Sequence, residues 1–234
     1  MKIHCLASSS IANCYVIESS KSKIMIECGL SYQDTRKRLL AINMTVNDLS
    51  GCLVTHAHND HCQCAFQLSR YVPIYASEFT LSQLDLFNEV NVNEWKGFRV
   101  GDFSVYAFNV EHDIAGAYGY ILYADDEWLL FINDTKFVEY DLSKFKFDYL
   151  MLECNYNDEL INVDEIRNRR TLNSHMALST TLELAKKLSN DKLKEIYLMH
   201  LSNGNSNERV MIDTIRKELN RKVYACQKHG GVNE

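Results

Sequence analysis

Thr55-His56-Ala57-His58-Asn59-Asp60-His61 is the stretch that decides how this chain is read. Three histidines and an aspartate fall within six residues, directly after the apolar run Cys52-Leu53-Val54. That run has the look of a short buried strand, and the loop at a strand end is where α/β folds place their chemistry. Neutral imidazoles and a carboxylate suit Zn²⁺, Mn²⁺ or iron. Alternating residues of so short a segment point in different directions, so one ion cannot easily take all four side chains. Two adjacent ions are the natural solution. A lone His-rich loop binds metal only adventitiously, so the reading depends on further ligands elsewhere.

Those candidates lie further along the chain. His112 comes after the strand-like segment 103–110, Asp134 after 128–132 and His200 after 195–199, while His175 opens the helical pattern 175–188. Taken singly, each is an ordinary turn, cap or core residue. Taken with the upstream loop, they make a ligand set. A helix N-terminus at His175 offers free N–H groups and partial positive charge to a phosphate.

Working outward, short apolar runs at 3–7, 14–17 and 24–26 predict strands. Helical spacing follows at 33–42 and 61–71, a strand at 74–76, and a helix capped by Ser77 and running to about 87. The middle is β-rich, with strands at 98–100, 103–110, 118–123 and 128–132, the last two joined as a hairpin at Asp125-Asp126-Glu127. After a buried strand at 149–153 the pattern becomes helix 175–188, strand 195–199, helix 206–219 and strand 223–225. Strand runs with helices at both ends imply a layered α/β architecture with helices covering sheets.

With 234 residues, 46% apolar and 24% charged, the chain is expected to fold as one domain over residues 1–234. Disordered and low-complexity classes are excluded. No apolar run is long enough to span a bilayer, and Met1-Lys2-Ile3-His4-Cys5 carries no signal-peptide core, so a cytoplasmic location is expected. The eight cysteines are then read as reduced core thiols. The net charge of −6 is uneven: residues 164–222 hold 12 Lys and Arg against 8 Asp and Glu. Arg167, Arg169 and Arg170 stand just before His175, either as a solvated loop or as phosphate contacts at a pocket mouth.

The motif Thr55–His61 followed in order by His112, Asp134 and His200 resembles the metallo-β-lactamase fold over nearly the whole chain. The resemblance implies a four-layer αββα sandwich with a dinuclear metal site at one edge. It places His56, His58 and His112 on one divalent ion, Asp60, His61 and His200 on the other, and Asp134 between them, the ions being Zn²⁺ or Mn²⁺. Leu6-Ala7-Ser8-Ser9-Ser10-Ile11-Ala12-Asn13, Glu153-Cys154-Asn155-Tyr156-Asn157-Asp158, Ser174-His175-Met176-Ala177-Leu178-Ser179 and Leu198-Met199-His200-Leu201-Ser202 are similar to stretches of the YycJ/WalJ-type nuclease branch, with Asn205 and Asn207 near an Asn pair that follows there. Ala12, Tyr156 and Asn133 depart from that pattern.

By resemblance, Asp60 and His175 are the catalytic residues, His175 binding the phosphate or protonating the leaving group. Arg167, Arg169, Arg170 and Asn205 are candidate substrate contacts. The implied activity is a metal-dependent phosphodiesterase, foremost a 5′-to-3′ exonuclease on DNA or RNA. About 40 residues separate Asp134 from His175, which leaves no room for a β-CASP insertion. A small-substrate cyclic-nucleotide phosphodiesterase is the alternative, with a lactone or thioester hydrolase behind it. The expected partner is a phosphodiester, as nucleic acid or nucleotide, and no membrane; the sequence does not specify an oligomeric state.

Overall fold

The short apolar runs pair into two sheets in the computed structural model, which describes residues 1–162 and 164–234 and all their side chains except those of Ile166 and Arg167. The first sheet has the order β1 (Lys2–Ala7), β2 (Cys14–Glu18), β3 (Lys23–Cys28), β4 (Cys52–Leu53), β5 (Ile74–Ala76) and β6 (Glu89–Asn91). Its first three strands are antiparallel, and β3 to β6 run parallel.

The second sheet carries β7 (Phe98–Val100), β8 (Phe103–Asn109), β9 (Tyr118–Ala124), β10 (Glu127–Ile132), β11 (Tyr149–Glu153), β12 (Glu195–Met199), β13 (Lys222–Cys226) and β14 (Val232–Asn233) in sequence order across the sheet. Here β10 to β13 are parallel. The β9–β10 hairpin forms where the sequence predicts it, with Asp125 and Asp126 both at positive φ as its tight turn requires.

Period-two burial sorts the side chains into layers. In β3, Ile24 and Ile26 join Tyr15, Phe103, Tyr120 and Phe131 between the sheets. Met25 and Cys28 of the same strand face the other way, towards α1 (Tyr32–Ala41), α2 (Asn59–Cys62) and α3 (Ala65–Leu68). On the far side, Leu130, Leu152 and Leu198 pack against α6 (Leu178–Leu188) and α7 (Glu208–Leu219). The layers run helix, sheet, sheet, helix, as expected. Each fully buried aliphatic or aromatic side chain stabilises this arrangement by about 1.5–3 kcal/mol. All eight cysteines are buried free thiols. Among the described residues no helix is long and apolar enough to cross a membrane.

Four local expectations need correction. The helix read at 61–71 is two short helices, α2 and α3, broken at Cys64. The helix from Ser77 stops at Leu81 as α4 (Glu78–Leu81), its start capped by Ser77 Oγ accepting from Thr80 N–H at 3.1 Å. β6 was not anticipated, because Glu89 and Asn91 give this edge strand no apolar face. The arginine run lies on a helix, α5 (Ile166–Ser174), and is not a loop. His175 therefore ends a helix rather than opening one. Its backbone is extended (φ −133°, ψ 154°) and its N–H bonds to Thr171 O at 3.0 Å, so the helix-start argument for phosphate binding does not hold at this residue.

Candidate metal centre

Parallel strands from the two sheets bring their C-terminal ends to one edge of the sandwich. β3 ends near Glu27, β4 runs into Thr55–His61, and β10, β11 and β12 lead into Asp134, Glu153 and His200. Three of these strand-end residues, Glu27, Asp134 and His200, hold left-handed backbone with φ of 63°, 47° and 56°. Non-glycine residues take that conformation at a cost, which functional sites commonly carry. At the base of the cluster, Gly29 gives the Asp60 carbonyl room: a Cβ at position 29 would lie 1.7 Å from that oxygen. The same carbonyl accepts from Asn13 N–H at 2.8 Å.

All seven side chains expected to bind metal converge. His56 Nε2 lies 2.9 Å and His112 Nε2 3.2 Å from His58 Nδ1, forming one three-histidine group. Asp60, His61, Asp134 and His200 form the other. In it, His61 Nε2 is 3.2 Å from both Asp60 Oδ2 and Asp134 Oδ2, and His200 Nε2 is 3.6 Å from Asp60 Oδ2 and 3.5 Å from Asp134 Oδ1. Asp134 faces both groups, with Oδ2 3.7 Å from His112 Nε2 and 3.9 Å from His56 Nε2.

The donor set fits divalent ions on two counts. Asp134 Oδ1 and His200 Nε2 are buried with no hydrogen-bond partner among the described residues, a cost that a bound cation would remove. Imidazole nitrogens at 2.9–3.2 Å from one another match the spacing of neighbouring ligands that each sit about 2.1 Å from a common ion.

Outer partners set which ring nitrogen is free. Thr55 Oγ–H donates to Glu27 Oε1 at 2.6 Å, so its oxygen accepts from His56 Nδ1–H at 2.8 Å. That leaves the His56 Nε2 lone pair for a metal. His112 Nδ1–H donates to Ser174 O at 3.2 Å, with the same consequence. His61 Nδ1 faces Glu27 Oε1 at 3.2 Å. Asn155 Nδ2 lies 2.9 Å from both the ring and the carbonyl of His200, and Ser8 Oγ accepts from the His200 N–H at 2.9 Å.

Glu27 and Glu153 were not picked out as functional by the sequence reading. The available signal was a carboxylate ending an apolar strand, the feature that marked Asp134. Glu153 is fully buried. It accepts from Thr135 N–H at 2.9 Å and Met176 N–H at 3.3 Å, and pairs with His175 Nδ1 at 2.5 Å.

The two groups differ electrostatically. Burial pulls His56 well below the ordinary histidine pKa, helped by the neighbouring His61; burial lowers His58 and His112 as well. The lowered pKa values favour the neutral form in which these three rings could serve as metal donors. In the second group burial works against charge but is outweighed. The carboxylates of Asp134 and Glu27 hold a proton on His61, and those around His200 push it up to about 10. Burial also opposes ionisation of Asp60 and Asp134, yet the imidazoles of His200 and His61 keep both carboxyls well below the usual range. Divalent cations binding here would take the place of those imidazole protons.

His175 stands beside this centre, its ring stacked on that of His200 at 5.2 Å and edge-on to that of His112 at 5.7 Å. Burial disfavours its charge, but Glu153 more than compensates and raises its pKa. Of the arginines, Arg170 reaches the rim: its Nε donates to Asp113 Oδ2 at 2.6 Å, and Asp113 Oδ1 lies 3.2 Å from His112 Nε2. Arg169 is exposed on the same helix, and the Arg167 side chain lies outside the described residues. Asn205 is not among the cluster residues; it donates to Asn168 on α5 at 3.3 Å, and its carbonyl accepts from Asn157 N–H. Tyr156 fills a small apolar cluster with Ile161 and Ala177. Asn133 is buried with its amide unpartnered among the described residues.

Comparison with known proteins places this geometry. The family model for the β-lactamase superfamily domain matches residues 22–201. Exodeoxyribonuclease YycJ of Bacillus anthracis is 27% identical over 236 residues, covering 94% of this chain and 89% of that protein. Exodeoxyribonuclease WalJ of Streptococcus pneumoniae is 28% identical over 223 residues, covering 88% and 83%. The metallo-β-lactamase fold protein YhfI of Bacillus subtilis superposes with a TM-score of 0.79 at 16% identity, over 99% of this chain and 98% of that one.

Proposed function

The chain belongs to the β-lactamase superfamily, and from that footing we propose that it is a metal-dependent phosphodiesterase acting on nucleic acid, as an exonuclease that works from the 5′ end. The observation that carries the proposal is the pair of donor groups with Asp134 in one and facing the other, and the Glu153–His175 pair beside them. The two relatives named above, both exodeoxyribonucleases, support the nucleic-acid substrate.

His56, His58 and His112 would hold one divalent ion, zinc or manganese, and Asp60, His61 and His200 the second, with Asp134 between them. Such ions supply Lewis acidity that lowers the pKa of water and neutralises phosphate charge. The remaining work falls to the chain's own groups. Glu153 occupies His175 Nδ1 and, against the effect of burial, raises the ring's pKa, which favours its protonated form and leaves Nε2 as the atom that gives a proton to the leaving oxygen. Arg170, steadied by Asp113, presents its guanidinium at the exposed lip, where it can pair with a phosphate of the substrate. Arg169 is a second cation on the same helix. Neutral His56, His58 and His112 leave the centre with the positive charge an anionic substrate requires once the ions are bound.

Two variants test the centre. Asp60→Ala is expected to abolish metal-dependent hydrolysis of bis-p-nitrophenyl phosphate, and full activity would refute the two-ion centre. His175→Ala is expected to slow turnover by about 10²–10⁴-fold while metal content, read by elemental analysis, stays unchanged. The substrate is tested with end-labelled DNA and RNA beside 2′,3′- and 3′,5′-cyclic nucleotides. Steep loss of affinity with salt supports the polymer. Selective opening of a cyclic nucleotide would replace the nuclease reading with the small-substrate one.

A further inference from the structure

A surface groove begins at the metal loop and leads away from it. Its walls include Ala57 and Asn59, which alternate with the ligands His56, His58 and Asp60, and it continues along Gln63, Phe66, Gln83 and Asp85 with a volume of about 480 Å³. In its lining Phe66 is 38% exposed, and the ring lies 5.2 Å from that of Phe87, which is 63% exposed. The Arg70 guanidinium sits against both rings, 5.1 Å from one centroid and 4.6 Å from the other.

We propose that this groove is a base-stacking subsite for single-stranded nucleic acid, with Phe66 as its platform. The inference rests on the phosphodiesterase reading and adds the path the strand takes. Every base has a π-face, so an exposed ring binds bases without selecting sequence. The Arg70 guanidinium packed against both rings fixes the pair and contributes positive charge. The amides of Asn59, Gln63 and Gln83 can donate to and accept from base edges of any identity. Asp85 would repel a phosphate, so the strand lies with its bases turned into the groove and its backbone outward. The position fits as well: Phe66 lines the same groove as Ala57 and Asn59 of the metal loop. The ring therefore serves a nucleotide a few steps from the bond being cut.

Two other grooves among the described residues do not offer this combination. The one along Ser77, Phe79 and Tyr118 has a single exposed ring and borders Glu78. The cavity beside Tyr32, Arg36 and Tyr71 has a stacked ring pair but none of the metal-loop residues in its lining.

The test compares wild type, Phe66→Ala and Phe66→Trp, all metal-loaded, on a 5′-labelled single-stranded 20-mer DNA and on bis-p-nitrophenyl phosphate. Loss of one base stack is expected to raise KM for the 20-mer roughly tenfold in Phe66→Ala and to be reversed in Phe66→Trp. Turnover of the small diester, which does not reach the ring, is the control. An unchanged KM for the 20-mer in Phe66→Ala overturns the subsite and leaves the phosphodiesterase reading standing. A wild type that cleaves neither substrate overturns both. An equal loss on both substrates in Phe66→Ala, or a change of oligomeric state on sedimentation with the 20-mer KM unaltered, also overturns it, the latter by assigning the groove to contact between copies of this chain.

Discussion

Glu27 shows most clearly how a single residue carries this site. Its carboxylate binds the hydroxyl and N–H of Thr55 and faces His61, so it governs the orientation of His56 through Thr55 and of His61 directly. Burial raises its pKa, and the contacts with His61 and Thr55 oppose that rise. Glu27→Gln keeps the shape but removes the charge that fixes both rings. Metal affinity is expected to fall about 10–100-fold, measured by competition with a chromogenic chelator. At this scale the sequence was most legible for the side chains that converge and least for their supports. His56, His58, Asp60 and His61 are recognisable because their spacing is itself the chemistry. Glu27 and Glu153 act through contacts with residues 28 and 22 positions away, and no local pattern records those partners.

Elements transmit position to the site, and the link between α4 and the His112 loop is the clearest case. Ser77 Oγ caps α4 and donates to Gly116 O at 2.7 Å, so the helix start anchors the loop that carries His112. Gly116 has φ +74°, and a Cβ there would lie 2.7 Å from both Ser77 Oγ and Phe79 Cβ. Gly116→Ala is expected to push the loop off this anchor, to cost about 1–2 kcal/mol of stability in urea unfolding, and to weaken metal binding. The strands were readable because period-two apolar runs mark both buried faces. α5 was not, because Arg167, Arg169, Arg170, Asn168 and Asn173 give it no apolar stripe and its partners lie in other segments. That omission moved His175 from a helix end to a helix start and gave it the wrong reason for binding phosphate. The His175 contact with Glu153 supplies a different one.

Across the whole molecule, the centre lies on the seam between the two sheets. Four of the proposed ligands, His56, His58, Asp60 and His61, follow the first sheet's β4, and three, His112, Asp134 and His200, follow strands of the second. Ions held as proposed would tie the sheets together, and their removal would leave the Asp60 and Asp134 carboxylates without a cation between them. Chelation is expected to lower the melting temperature by about 5–10 °C, since occupancy at a hundred times Kd stabilises by about 2.7 kcal/mol and a chain of this size shifts about 2–4 °C per kcal/mol. An unchanged melting curve after verified metal removal would show that the seam does not depend on ions.

The left-handed backbone at Glu27, Asp134 and His200 has a further consequence, for descent. Each of these positions would be relaxed by glycine, which takes that conformation freely but has no side chain to offer a metal or its ligands. Folding and chemistry thus pull in opposite directions at three points of one centre. A copy of this gene released from catalytic duty would gain by accepting glycine there first. Among diverging sequences, glycine at 27, 134 or 200 would mark the loss of activity before the core shows any decay.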